Sequence, residues 1–265
     1  MAVRPGFRAL SLDLWFTVLY YAPETDGHWR ADRARLLRDS LRGREGQRVE
    51  LRQVEAAIDS VHSRLRAEGR EPITIDPETL IPLYAEAANG DLIVPAAELA
   101  PRYSSVGLED HPPTTNPEAA SVVRALADRH FPVIAITNSA RRGSTWRDYL
   151  LDHAGLEFCH VISSCDCGAA KPDPAIFREA ARRTGIAPGE ILHVGDRWEL
   201  DVEGALRAGF GAMLYRGLWR FYPPGESSDA DSQGSSPTSG VPCVDRLDEL
   251  LEGGILMVRR PPPDA

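Results

Sequence analysis

The chain has 265 residues, 43% hydrophobic and 26% charged, which is enough for one large unit or two unequal ones with a substantial buried core. A formal charge of −9 argues against nucleic acid or an anionic membrane surface as a partner, because either selects for a basic footprint. The apolar runs are strand-sized rather than membrane-spanning, and the amino terminus lacks a leader-like charged and apolar pattern, so a cytoplasmic location is expected.

Residues 7–15 read as a buried strand, with Leu10, Leu12 and Leu14 apolar and Asp13 interrupting the run near its carboxyl end. A carboxylate in that position is costly unless it has partners. From about residue 26 to 110 the pattern is helical. A first helix runs from His28 to Leu41 and carries Arg30, Arg33, Arg35 and Arg38, with Tyr20, Tyr21 and Trp29 at its entry. In a second, Leu51, Val54, Ile58, Val61 and Leu65 share one face. Two more stretches, near 77–88 and 96–103, complete a predicted helical bundle. The turn-forming run His111-Pro112-Pro113-Thr114-Thr115-Asn116-Pro117 marks its end.

Beyond that run the chain alternates: helix 118–129, strand 133–137, helix 146–154, strand 160–163, helix 174–184, strand 191–194, helix 202–208 and strand 211–215. Such alternation predicts parallel strands joined by right-handed helical crossovers, with ligand chemistry at the strands' carboxyl ends. His160-x4-Cys165-x-Cys167 fits none of the usual zinc spacings, and the cysteines read as small, half-buried thiols at a strand end. With Cys159 and Cys243 they are too few and too uneven for a disulfide framework. Residues 223–240, rich in Ser, Gly, Asp and Pro, read as a mobile insertion, and 244–251 as a last short helix.

Lys171 is the one lysine among 30 Lys and Arg residues, so this position keeps a compact point charge where the chain otherwise uses a planar fork. It stands with Asp13, Thr137-Asn138, Gly195-Asp196 and Asp201 at segment ends that a parallel sheet brings together. Asp13 and Asp196 side by side would repel without a cation between them. A hard divalent ion such as Mg2+ takes oxygen ligands and leaves room for a phosphate oxygen, while Lys171 and Thr137 would hold the remaining phosphate oxygens. Asp173, just before Pro174, reads instead as a helix cap.

Four motifs carry a resemblance: Leu12-Asp13-Leu14-Trp15-Phe16-Thr17-Val18, Ile134-Ala135-Ile136-Thr137-Asn138, Gly168-Ala169-Ala170-Lys171-Pro172-Asp173-Pro174, and His193-Val194-Gly195-Asp196 with Asp201. In identity and order they resemble the haloacid dehalogenase-like hydrolase superfamily, subclass I with a helical cap. The resemblance implies an α/β fold: a Rossmann-like parallel sheet core from residues 1–19 and 112–265, with an inserted helical-bundle cap domain over 20–111. It implies Asp13 as a nucleophile forming a covalent aspartyl intermediate, with Thr137 and Lys171 orienting it and the phosphoryl group. Mg2+ would be held by Asp13, the Trp15 backbone carbonyl, Asp196 and Asp201. The substrate would be a small phosphorylated metabolite, bound with help from Trp15, Asn138, His28 and Arg30, and the protein a monomer or homodimer with no nucleic-acid or membrane partner.

One departure bears on the chemistry. Phosphatases of the superfamily usually carry a second aspartate two residues after the nucleophile, which protonates the leaving oxygen and then activates water. That position here is Trp15, whose indole does neither. The readings that follow are an Mg2+-dependent phosphohydrolase with a good leaving group or a cap-borne acid such as His28, a carbon-centred hydrolase like the superfamily's 2-haloacid dehalogenases, or a catalytically degenerate binding protein. Against the second, the pattern Gly195-Asp196 with Asp201 suits a metal that those dehalogenases do without.

Overall fold

The computed structural model describes residues 6–21, 28–218, 240–252 and 255–256. In chain order the elements are β1 Ala9–Asp13, β2 Leu19–Tyr20, α1 His28–Asp39, β3 Leu41–Gly43, α2 Leu51–Ala67, α3 Pro77–Ala87, β4 Gly90–Leu92, α4 Ala96–Ser105, β5 Thr114–Thr115, α5 Pro117–Ala127 and β6 Val133–Thr137. They continue with α6 Gly143–Ala154, β7 His160–Ser163, α7 Ser164–Cys167, α8 Pro174–Thr184, β8 Ile191–Gly195, a π-helical turn Trp198–Glu203, α9 Gly204–Arg207, β9 Gly211–Tyr215, β10 Cys243–Val244 and a 3-10 turn Leu247–Leu251.

Six parallel strands form the central sheet in the order β10-β9-β8-β1-β6-β7. After β1 the chain builds β6 and β7 on one side, then crosses back to lay β8, β9 and β10 on the other. The order therefore reverses about β1, and a crevice opens at the carboxyl ends of β1, β6 and β8. Every residue of β1, β6 and β8 is buried, as expected for strands covered on both faces. One face packs on α5, α6 and the 247–251 turn through Val122, Val123, Trp146, Leu150 and Leu247. The other packs on α8 and α9 through Ile176, Phe177, Ala180 and Ala205. Asp173 caps α8 by accepting the Ala175 N–H at 2.8 Å, with Pro174 in the first turn.

α1 to α4 surround a third, separate apolar cluster that includes Leu37, Val54, Val61, Leu80, Tyr84 and Leu99. The helical face read from residues 51–65 supplies Val54, Val61 and Leu65 to it. Two antiparallel ribbons of two or three residues lie outside the reach of periodicity: β3 with β4, and β2 with β5 where the chain leaves and re-enters the sheet unit.

Several boundaries differ from the sequence reading. The first strand is shorter than 7–15, because Phe7 and Trp15 make only isolated bridges, to Leu256 and Leu19. α1 stops at Asp39, and Leu41 opens a ribbon instead. The helix expected over 202–208 begins earlier, as a π-turn at Trp198, and π-turns recur where a helix must aim a functional side chain. The helix expected over 244–251 is a short strand that pairs with the exposed edge of β9, followed by a 3-10 turn. The insertion read over 223–240 lies outside the described residues apart from Gly240. No helix among the described residues is long and apolar enough to cross a membrane.

Candidate active site

Asp13 ends β1, and the next five residues fold into a tight turn in which Val18 and Leu19 both donate their N–H to Leu14 O, at 2.9 and 2.7 Å. Phe16 sits in this turn at φ 56°, a left-handed conformation that costs a non-glycine residue about 1–2 kcal/mol. The turn presents Trp15 to the crevice. Its indole stacks on Tyr21 with centroids 5.2 Å apart and meets Trp146 edge-on at 5.4 Å, which fixes a large apolar wall beside Asp13.

Lys171 reaches Asp13 from the loop before α8. Its ammonium donates to Asp13 Oδ1 and to Asp201 Oδ1, each at 2.5 Å, and all three side chains are buried. The Lys171 backbone is clamped by Asn138, which accepts its N–H at 2.7 Å and donates to its carbonyl at 2.9 Å. The Asn138 amide expected to face substrate is thus occupied in holding the lysine loop. Asp201 arrives from the π-turn and is pressed onto Gly195, where a Cβ would lie 2.3 Å from the Asp201 carboxyl carbon, so only glycine fits there. Its second oxygen accepts the Arg197 N–H at 2.9 Å.

Asp196, half-buried, completes a group of three carboxylates whose oxygens lie within 4.8 Å of one another. Asp13, Trp15, Asn138, Lys171, Asp196 and Asp201 all line one cavity of about 200 Å3, together with Phe16, Arg197 and Leu200. Thr137 ends β6 on the strand beside Asp13, and its buried hydroxyl has no hydrogen-bond partner among the described residues. His28 and Arg30 do not line this cavity. His28 packs against the His111 ring at 4.8 Å and Arg30 lies over Trp29 at 5.3 Å.

Burial pushes the Asp13 carboxyl up to about 6; the Lys171 ammonium opposes this and the Asp201 charge adds to it. Burial acts on Asp201 in the same direction, but there the Lys171 ammonium and His193 outweigh it and hold the group well below the usual carboxylate range. Lys171 goes the other way from its burial, kept above the ordinary lysine value by its two carboxylates. Lys171 bonds two of the three clustered carboxylates, Asp13 and Asp201, and a group of three carboxylates suits a hard divalent cation with oxygen ligands. His160, Cys165 and Cys167 form no comparable cluster among the described residues, and burial pushes the Cys165 thiol up to about 12, which leaves it inert.

Arg197, Leu200, His193 and Ser11 are the site residues that sequence reasoning did not single out. A polar residue in the middle of an otherwise apolar strand, as in Ala9-Leu10-Ser11-Leu12 and Ile191-Leu192-His193-Val194, was the available signal for the last two.

A doubly covered parallel sheet with a carboxylate–ammonium–carboxylate cluster at its switch point defines an α/β protein with a candidate active site at the strands' carboxyl ends. A profile of haloacid dehalogenase-like hydrolases matches residues 17–209, and the chain belongs to that family. It is 33% identical over 114 residues to a glyceraldehyde 3-phosphate phosphatase of Methanopyrus kandleri, which covers 43% of this chain and 48% of the relative. To a phosphoserine phosphatase of Thermus thermophilus it is 37% identical over 105 residues, 38% of this chain and 41% of the relative. The chain thus spans less than half the length of these curated relatives. The fold is shared with the crystal structure of a 2-haloacid dehalogenase from Pseudomonas syringae pv. Tomato DC3000, at TM-score 0.58 and 24% identity over 93% of this chain and 97% of that one.

Proposed function

We propose that the chain is a divalent-metal-dependent phosphohydrolase acting on a small phosphorylated metabolite. The observation that carries this reading is the buried Asp13–Lys171–Asp201 arrangement with Asp196 at the same strand ends, and the phosphatase names of the relatives at 33% and 37% identity support it. Asp13, Asp196 and the Trp15 carbonyl would hold Mg2+, with Asp201 behind them; when bound, the ion would neutralise phosphate charge and the repulsion among the carboxylates. Asp13 attacks phosphorus in line, the bond to the leaving oxygen breaks, and water then resolves the aspartyl phosphate. Lys171 and Thr137 position the nucleophile and the transferring group, and Asn138 fixes Lys171. The helical insertion over 20–111 acts as a cap that excludes water and selects the leaving group.

Trp15 narrows the substrate. No carboxyl stands at the position from which the leaving oxygen is usually protonated, and positioned acid–base catalysis contributes about 10^2- to 10^4-fold. A leaving group that needs no proton, such as the carboxylate of an acyl phosphate, removes that requirement. The test is phosphate release from acetyl phosphate, p-nitrophenyl phosphate and sugar phosphates, with Mg2+ or chelator, for wild type and Asp13→Asn. Mg2+-dependent release that favours acetyl phosphate and disappears in Asp13→Asn is the expected result. Dehalogenation of 2-haloacids without metal would replace this reading with the carbon-centred one.

A further inference from the structure

Two polar side chains lie inside the sheet beneath the charged site, where strands covered on both faces otherwise carry apolar residues. Ser11 is the middle residue of β1 and His193 the middle residue of β8; both are buried, and the strand register sets them opposite each other. Ser11 Oγ lies 2.9 Å from His193 Nδ1, and His193 Nε2 lies 3.3 Å from the Asp201 oxygen that also accepts Lys171. A continuous buried chain therefore runs from Ser11 through His193, Asp201 and Lys171 to Asp13.

We propose that His193 is a positioning residue: its imidazole, oriented by Ser11, fixes Asp201 so that Asp201 seats the Lys171 ammonium against Asp13. The effect on turnover rests on the phosphohydrolase reading, whereas the effect on Lys171 does not.

Donor and acceptor roles follow from chemistry. Ionised Asp201 only accepts, so Nε2 carries the hydrogen that faces it. Burial favours the neutral ring, which leaves Nδ1 as the acceptor for the Ser11 hydroxyl. The ring is further held edge-on by Phe177 at 5.1 Å, so packing and hydrogen bonding agree on one orientation. Asp201 then receives three donors: Lys171 and His193 on one oxygen and the Arg197 N–H on the other. Without His193 the carboxylate could follow the lysine instead of fixing it. Outer partners of this kind typically change activity by about 10- to 100-fold when removed.

The chain's single lysine makes the test direct, because lysine labelled with 15N at Nζ gives one side-chain signal, that of Lys171. In protein without added metal, the Lys171 ammonium should exchange its hydrogens slowly in wild type and at least about 10-fold faster in His193→Phe, which keeps a ring but loses the donor. In the loaded enzyme the same variant should lose about 10- to 100-fold in kcat with KM changed by less than about 2-fold. His193→Gln, which can return an N–H near the Nε2 position, should restore both, and Ser11→Ala should fall between. A Lys171 signal and kcat that stay at wild-type values in His193→Phe would overturn the proposal. If that variant does not fold, wild-type behaviour of Ser11→Ala in both readouts would do the same. Should wild type release phosphate from no substrate while the Lys171 signal still tracks His193 and Ser11, the positioning role stands and the phosphohydrolase reading falls.

Discussion

The sheet-end site and the helical insertion are built on opposite principles. At the site, charges are buried and gathered at the carboxyl ends of the strands, with Lys171 shared between Asp13 and Asp201 and its backbone clamped by Asn138. The insertion has its own apolar core, and it joins the sheet unit both through Leu108 and the Tyr21 stack on Trp15 and through several polar links. Arg141 donates to the carbonyls of Ser104 and Val106 at the end of α4, Arg142 pairs with both oxygens of Asp76 at 2.8 Å, and Ser164 donates to Ile73 O at 2.6 Å. On the proposed reading, buried ion pairs fix the chemistry of the site and the insertion governs access to it.

Substitutions that break the site should therefore act on turnover, and those that break the attachment on access. The largest effect is expected for Asp13→Asn: loss of about 10^4-fold or more in kcat, as when a nucleophile is removed, read by phosphate release. Trp15→Asp comes next. On the proposed reading it supplies an acid beside the nucleophile and should raise kcat on alkyl phosphates by up to about 10^2-fold, while losing the stack on Tyr21 and lowering Tm by several degrees.

Asp13 also predicts a pH dependence of stability. Its folded value of about 6 lies above the ordinary carboxylate value of 3.8, so its ionisation works against the fold, and the stability it contributes at low pH is lost as pH rises through 6. Without metal, Asp13→Asn should melt higher than wild type at pH 7.5, and the gap should close as pH falls towards 4. Taking the difference between the two proteins cancels the opposite contribution of His193, whose value is lowered by burial. A gap that does not change with pH would show that the two carboxylates divide the Lys171 charge differently.

The smallest effect belongs to the attachment. The Arg142–Asp76 pair is about one-third exposed on each side, so Arg142→Ala should cost no more than about 1 kcal/mol in stability. Steady-state kinetics should show its KM for substrate moving more than its kcat, and Asp76→Ala should reproduce that pattern. Equal losses in kcat from this pair would remove the distinction between the two regions.

Much of this was legible in the chain. Strands 133–137, 160–163 and 211–215 and helix 174–184 form where the alternating pattern places them, because runs buried on both faces and caps such as Asp173-Pro174 are local signals. Asp13, Asn138, Lys171, Asp196 and Asp201 do line one cavity, since residues at parallel strand ends converge whatever the details of packing. His28 and Arg30 rested on chemistry and proximity alone, and they do not line that cavity: His28 packs against His111 and Arg30 over Trp29. Ribbons such as Leu41–Gly43 with Gly90–Leu92 are too short to show a period, and they form only when their partners are brought together.

By itself, the sequence determined the class of fold, the set of charged residues at the strand ends and the indole two residues after Asp13, because periodicity, turn chemistry and residue type are properties of neighbours along the chain. Tertiary structure alone decided that Lys171 bridges Asp13 and Asp201, that Trp15 is locked between Tyr21 and Trp146, and that Ser11 and His193 stand under Asp201. Those pairings join residues far apart in the chain, and only strand register and close packing set which of the available side chains come within hydrogen-bonding distance.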